Sequence, residues 1–98
     1  MKIWSEPIEF EWDKGNKDKN LEKHRVTNRE AEEIFNNQPV VILEDQTHST
    51  KIEKRYQIIG ATNKKRVLNI IITIREDKVR IISARDANRK EKEKYEET

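Results

Sequence analysis

Cysteine is absent from these 98 residues, so neither a disulfide nor a thiolate metal site can hold the chain together. Histidine occurs only twice, and neither an HExxH pair nor a glycine-rich phosphate loop is present, which argues against zinc chemistry and nucleotide hydrolysis. No metal or other cofactor is therefore expected. Ser5, Ser49 and Ser83 lack the nucleophile elbow of a serine triad. The longest apolar run is far too short to span a bilayer, and no secretory leader precedes it, so the cytoplasm is the expected location. Low-complexity linkers and internal repeats are missing as well. With 33% hydrophobic and 41% charged residues the chain can fill one compact core, and residues 1–98 are expected to form a single domain.

What is present is charge, unevenly spread. Residues 1–50 carry seven Lys/Arg against eleven Asp/Glu, residues 51–66 six against one, and residues 67–98 eight against seven. The central segment, with Lys51, Lys54, Arg55 and Lys64-Lys-Arg66 around one strand, forms a local positive field suited to a polyanion although the formal net charge is only +2.

Apolar residues are concentrated in 40–43, 56–59 and 67–74, as a folded sheet would use them. Ile8, Phe10 and Trp12 alternate with Glu9 and Glu11 and predict a short strand, with Asp13 placed to cap a first helix bearing Lys17, Leu21 and His24 on one face. Thr27-Asn-Arg-Glu30 is a capping box that starts a second helix, whose Ala31, Ile34 and Phe35 form an apolar face ending before Pro39. Val40–Glu44, Arg55–Ile59, Arg66–Arg75 and Lys78–Arg85 then read as four strands in an antiparallel meander. In the third of these, Leu68, Ile70, Ile72 and Ile74 should face the helices, leaving Asn69, Ile71, Thr73 and Arg75 on the face where function can sit. In the last, simple alternation groups Ile81, Ser83 and Arg85 on one side and Arg80, Ile82 and Ala84 on the other, so cations are expected on both faces. A polar helix over about Ala87–Glu97 should dock through Ala87, Glu91 and Tyr95, with its final residues frayed.

These side chains can support metal-free RNA cleavage, in which the substrate supplies its own 2′-OH and the protein orients it, stabilises the phosphate and assists proton transfer. Arg75 and Arg85 are the candidates for phosphate stabilisation, because a guanidinium can hold two phosphoryl oxygens and stays charged. Their structural alternative is ion pairing with Glu76, Asp86 or Glu91. His24, Glu91 and Tyr95 are the candidates for acid and base, and Lys23, Lys54, Arg55, Tyr56 and Arg80 for contacts along the RNA. Trp12 could stack on a base, although alternation with Phe10 suits a core position better. Two readings from other classes compete: a nucleic-acid-binding module without catalysis, or a protein-interaction partner with docking helices.

The stretch 80–95, together with Phe10-Glu-Trp-Asp13, Asn20-Leu-Glu-Lys-His-Arg-Val26, Arg55-Tyr56, Gly60 and Thr73-Ile-Arg75, resembles the BrnT family of toxins from bacterial type II toxin–antitoxin modules. The similarity runs over about residues 8–97 in matching order, after an extension at 1–7. It implies an α+β, RelE-like domain: two N-terminal helices, a four-stranded largely antiparallel sheet with a short extra N-terminal strand, and a C-terminal helix. It also implies ribonuclease activity and neutralisation by a BrnA-like antitoxin that binds DNA, in a toxin–antitoxin hetero-oligomer. One departure stands out, since the family's usual glycine after Lys-His is Arg25 here.

Overall fold

A computed structural model describes residues 3, 4, 6–12 and 19–98. Asp13 and Lys17, expected to cap and line the first helix, lie outside the described residues. The fold is α+β. Its elements run β1 (Phe10–Trp12), α1 (Lys19–His24), α2 (Asn28–Glu33) continued by a 3₁₀ turn at Ile34–Asn36, β2 (Val41–Glu44), β3 (Arg55–Ala61), β4 (Val67–Arg75), β5 (Lys78–Asp86) and α3 (Arg89–Glu96). The expected four-stranded sheet becomes a five-stranded mixed one of order β1-β5-β4-β3-β2, because the short N-terminal strand pairs in parallel with β5. All other pairings are antiparallel.

The reason each element forms is local and checkable. Thr27 and Glu30 build the expected capping box, the threonine oxygen accepting from the Glu30 N–H at 3.0 Å and the carboxylate accepting from the Thr27 N–H at 3.0 Å. Glu76 and Asp77 both have positive φ, 52° and 65°, which is the conformation a two-residue hairpin needs to match the twist of β4 and β5. Arg25 has φ 56° and follows α1, with its N–H donating to Leu21 O and that of Val26 to Asn20 O. This left-handed cap is the conformation that glycine enters without steric cost, so the departure at Arg25 substitutes a side chain where the backbone prefers none.

One face of the sheet is packed against α2 and the N-terminal segment. Ile58, Leu68, Ile70, Ile72, Val79 and Ile81 from the sheet meet Val26, Ala31, Ile34, Phe35 and Trp4 in a single buried cluster. Leu68, Ile70 and Ile72 are fully buried, and Ile74 packs partly buried beside them, as the alternation of β4 predicts. α1 covers the edge of β5 beyond the end of β1, where the Ala84 N–H donates to Asn20 Oδ1 at 3.0 Å. Trp12 faces this packed side too, and its indole N–H donates to Glu32 at 2.7 Å, which fixes the ring to α2.

Gly60 makes the closest approach possible between β3 and the 3₁₀ turn. A Cβ there would stand 3.2 Å from Ile34 Cβ and 3.1 Å from Val40 Cγ1, and Ile34 Cβ cannot rotate away because it is fixed to the backbone. Gly60→Ala is therefore expected to destabilise by about 1–3 kcal/mol through overpacking. Thermal melts of the two proteins check it, and an unchanged or raised melting temperature would show that the turn yields.

The other face is the open one. A register shift between Ile71 and Ile72 leaves Ile82 as an extra residue in β5: Ile71 pairs with Ser83, but Ile72 pairs with Ile81. This bulge inverts the alternation half-way along the strand. Ile81 and Ala84 both enter the core, and Arg80, Ser83 and Arg85 all lie on the outer face with Thr73, Ile71 and Asn69 of β4. The expectation of cations on both faces is corrected accordingly. Strict two-residue periodicity fails wherever a bulge intervenes, and here it gathers the arginines on one side.

Candidate active site on the outer face of the sheet

β5 delivers Arg85 to the outer face opposite Asn69 of β4, and the chain then turns through Ala87 into α3, which packs back over β3. Asn88 caps α3: its side chain accepts from the Glu91 N–H at 2.9 Å, and Glu91 Oε1 accepts from the Asn88 N–H at 2.9 Å. This second capping box determines where Glu91 can reach. The carboxylate meets the Arg85 guanidinium in a two-pronged contact, 2.8 Å from Nη1 to Oε1 and 2.9 Å from Nη2 to Oε2. Gln57 Nε2 completes the cluster, donating to Glu91 Oε2 at 3.1 Å and to Asn69 Oδ1 at 2.6 Å.

Four donors thus address the four lone-pair positions of Glu91. The Arg85 guanidinium, with a smaller contribution from the Asn88 N–H, holds the Glu91 carboxyl below its ordinary value against burial, which pushes it up. Arg85 is correspondingly raised, first by its hydrogen bonds to Glu91. The pair is ionised throughout the neutral range. Glu91 is nearly covered, with 11% of its side chain exposed, whereas Arg85 keeps 39%. Arg85 Nη1 also donates to the Asp86 carbonyl at 3.1 Å, so the arginine is held by both prongs while much of its side chain stays exposed.

Further along the same face runs a row of cations. Arg80 pairs with Thr73 across the sheet and lies 3.7 Å from Glu11, and Arg55 sits opposite Thr73 on the far side. Glu53 bridges Arg55, at 3.8 Å, and Arg75, at 3.3 Å. Arg75 stands six residues along β4 from Asn69, which is about 20 Å at roughly 3.4 Å per residue. Arg75 and Arg85 share a face but occupy opposite ends of it, each on its own carboxylate, Glu53 and Glu91.

The remaining expected site residues lie off this row. Tyr56 turns to the packed side, opposite Ile72 and against the core. Lys23 and His24 end α1 beside the edge of β5, where the His24 carbonyl accepts from Arg66 at 3.1 Å. Lys54 pairs with Glu44 at 3.6 Å. Tyr95, one helical turn beyond Glu91, lines a cavity with Asn37, Asn63 and Val67. Gln57, Asn69 and Asn88 were not anticipated. Their signals were a polar residue inside each of two apolar strands and a second Asn-x-x-Glu capping pattern at 88–91. Among the described residues no group of three or more His, Cys, Asp or Glu side chains converges as a metal ion would require, and no helix is long and apolar enough to cross a membrane.

Behind the outer face, Arg66 locks the ends of the hairpin to both N-terminal helices. Its Nε and Nη2 grip Asp86 at 2.6 and 3.1 Å, while Nη1 reaches Glu30 at 3.2 Å and the Arg25 carbonyl at 2.9 Å. The Asp86 carboxyl is lowered chiefly by Arg66, and that of Glu30 chiefly by the Thr27 N–H with Arg66 adding to it. Groups with depressed folded values contribute stability above their ordinary carboxylate range and lose it as the pH falls through the folded value. The gap in melting temperature between wild type and Arg66→Met should accordingly narrow between about pH 7 and about pH 3. An unchanged gap would mean that the two carbonyl contacts, not the carboxylates, carry the clamp.

A family model described as the ribonuclease toxin BrnT of type II toxin–antitoxin systems matches residues 12–91. The chain belongs to the BrnT family. The match begins at Trp12 and ends at Glu91, so it contains Arg55, Gln57, Asn69, Arg80, Arg85 and the capping box that holds Glu91. No curated protein matches the chain significantly. Membership makes it a ribonuclease toxin of a toxin–antitoxin system, which places an RNA target and an antitoxin among its ligands.

Proposed function

We propose that this chain is a metal-independent endoribonuclease, a single RelE-like domain acting in the cytoplasm, and that the outer face of its sheet is where RNA is held and cut. The observation that carries the reading is the Arg85 fork, held by a Glu91 carboxylate that Gln57 braces in turn, on a side chain that is still 39% exposed. A preorganised cation of this kind costs no rearrangement when charge develops on a phosphate. The 2′-OH attacks the adjacent phosphorus, the bond to the 5′-oxygen breaks, that oxygen takes a proton from water, and a 2′,3′-cyclic phosphate and a 5′-hydroxyl result. Phosphate arriving at Arg85 takes over part of its fork and releases a lone pair on Glu91, which is ionised and can accept the 2′-OH proton. Its depressed value makes it a weak base, so electrostatic stabilisation supplies the larger share of the rate. Arg80, Arg55 and Arg75 guide the flanking phosphates along a track of about 20 Å.

Incubating RNA with the purified chain in excess EDTA should give fragments ending in 2′,3′-cyclic phosphate or its opened 3′-phosphate. Loss of cleavage restored only by a divalent ion would overturn metal independence. The antitoxin in this reading is BrnA-like, and an acidic or amphipathic segment of it covers the arginine track. Its binding should weaken with salt and abolish cleavage together.

A further inference from the structure

Beyond the arginine track, the outer face ends in a cavity of about 640 Å³ to which no role has been given, lined by Asn37, Gln38, Asn63, Lys65, Val67 and Tyr95 among others. Its size is that of a small-molecule site, and its lining is neither a phosphate cradle nor a greasy pocket. Three side-chain amides, one aromatic ring and one lysine meet there. That set matches an unpaired nucleobase: a ring to stack on, amides to read the hydrogen-bonding edge, and a cation for the attached phosphate.

The position of the cavity relative to Arg85 follows from two independent rulers. Val67 is two residues along β4 from Asn69, the partner of Arg85, which is about 7 Å at roughly 3.4 Å per residue. Tyr95 is four residues along α3 from Glu91, a rise of about 6 Å at 1.5 Å per residue. Both place the cavity next to the Arg85–Glu91 pair, one step beyond the end of the track. Two of the amides, Asn37 and Asn63, are held rather than loose. Asn37 Nδ2 donates to the Ala61 carbonyl at 3.0 Å and to Asn63 Oδ1 at 2.9 Å, and the Asn63 N–H donates to Glu33 at 3.0 Å. Only a nitrogen can donate to the Ala61 carbonyl, so the orientation of Asn37 is settled by its partners. Among the described residues this leaves Asn37 Oδ1 and Asn63 Nδ2, an acceptor and a donor, uncommitted on two side chains that line the cavity with Tyr95.

We propose that this cavity is a nucleobase-recognition pocket, which takes the base flanking the phosphate held at Arg85 and gives the ribonuclease a sequence preference at that one position. The inference rests on the reading of Arg85 above. Asn63→Asp is the informative variant, because it keeps an oxygen that accepts from Asn37 and turns the uncommitted donor into an acceptor; the negative charge it adds repels every RNA alike and so leaves the base profile as the readout. Two measurements on the full chain test it. The first is cleavage of single-stranded RNAs randomised around the cut. Wild type should favour one base at the flanking position, and Asn63→Asp and Tyr95→Ala should each reduce that preference by about tenfold or more, whereas Arg85→Ala should slow all sequences alike. The second is NMR titration with the four nucleoside monophosphates, in which the largest shifts should fall on residues 61–67 and Tyr95 and should weaken in Asn63→Asp. Base profiles identical in wild type and Asn63→Asp, or shifts confined to Arg80 and Arg85, would overturn the pocket while leaving the active-site reading intact. Shifts in the pocket without any cleavage would sustain the pocket and sink the ribonuclease reading of Arg85.

Discussion

Phe35→Ala should cost about 3–5 kcal/mol, the loss expected when a fully buried phenylalanine is truncated and the space only partly refills. Phe35 is 2% exposed at the centre of the packed side. Its ring meets Trp4 edge-on at 5.0 Å and Phe10 at 5.3 Å, so one side chain ties the N-terminal segment and β1 to the 3₁₀ turn that continues α2. Against a total stability of roughly 5–15 kcal/mol for a domain of this kind, that loss leaves little margin. Melting temperature should fall by tens of degrees, at about 4–8 °C per kcal/mol for a small domain. Phe35→Leu, which retains most of the volume, should lose far less. Because Phe35 lies across the sheet from Arg85, cleavage by Phe35→Ala at low temperature should follow the folded fraction. A melting temperature within a few degrees of wild type would show that the core is not organised around this ring.

Phe35 was legible from the sequence, and the reason shows what a sequence does reveal. Ala31, Ile34 and Phe35 repeat at helical spacing behind a capping box, and Leu68 to Ile74 alternate over seven residues; both signals are local and repeated. The pairing of Arg85 with Glu91 was legible only as one of several structural alternatives, because a capping box at 88–91 had to be recognised before the reach of Glu91 could be judged. Two things were not legible. The bulge at Ile82 leaves no pattern, since Ile81, Ile82 and Ala84 are all apolar and either phase buries something. Without it Arg80 and Arg85 fall on opposite faces, and no track exists. Gln57 and Asn69 meet only because β3 and β4 pair in a particular register, and such cross-strand contacts between residues 12 apart depend on the whole sheet. Conversely, Arg75 resembled Arg85 in sequence, an arginine at a strand end, yet the hairpin sends the two to opposite ends of the face.

That separation lets the two arginines be told apart by experiment. Arg85→Ala should reduce single-turnover cleavage by roughly 10²–10³, equivalent to about 2.7–4 kcal/mol, because the interaction it removes strengthens as the phosphate gains charge. The domain should stay folded, although not unharmed: Glu91 would keep Gln57 and the Asn88 N–H as donors but lose the two-pronged partner, for a cost of about 1–3 kcal/mol. Arg85→Lys should restore stability better than rate, since an ammonium can neutralise Glu91 but cannot present a fixed fork to two phosphoryl oxygens. Arg75→Ala, by contrast, should weaken RNA binding and its salt dependence while the rate of bound substrate changes little, as expected for a group that contacts a distant phosphate. Single-turnover rates at saturating protein, compared with affinities at two salt concentrations, separate these effects. If Arg75→Ala lowers the saturated rate as much as Arg85→Ala does, the scissile phosphate lies at the other end of the face, and the Arg85–Glu91 pair is a fastening for α3 rather than the centre of the reaction.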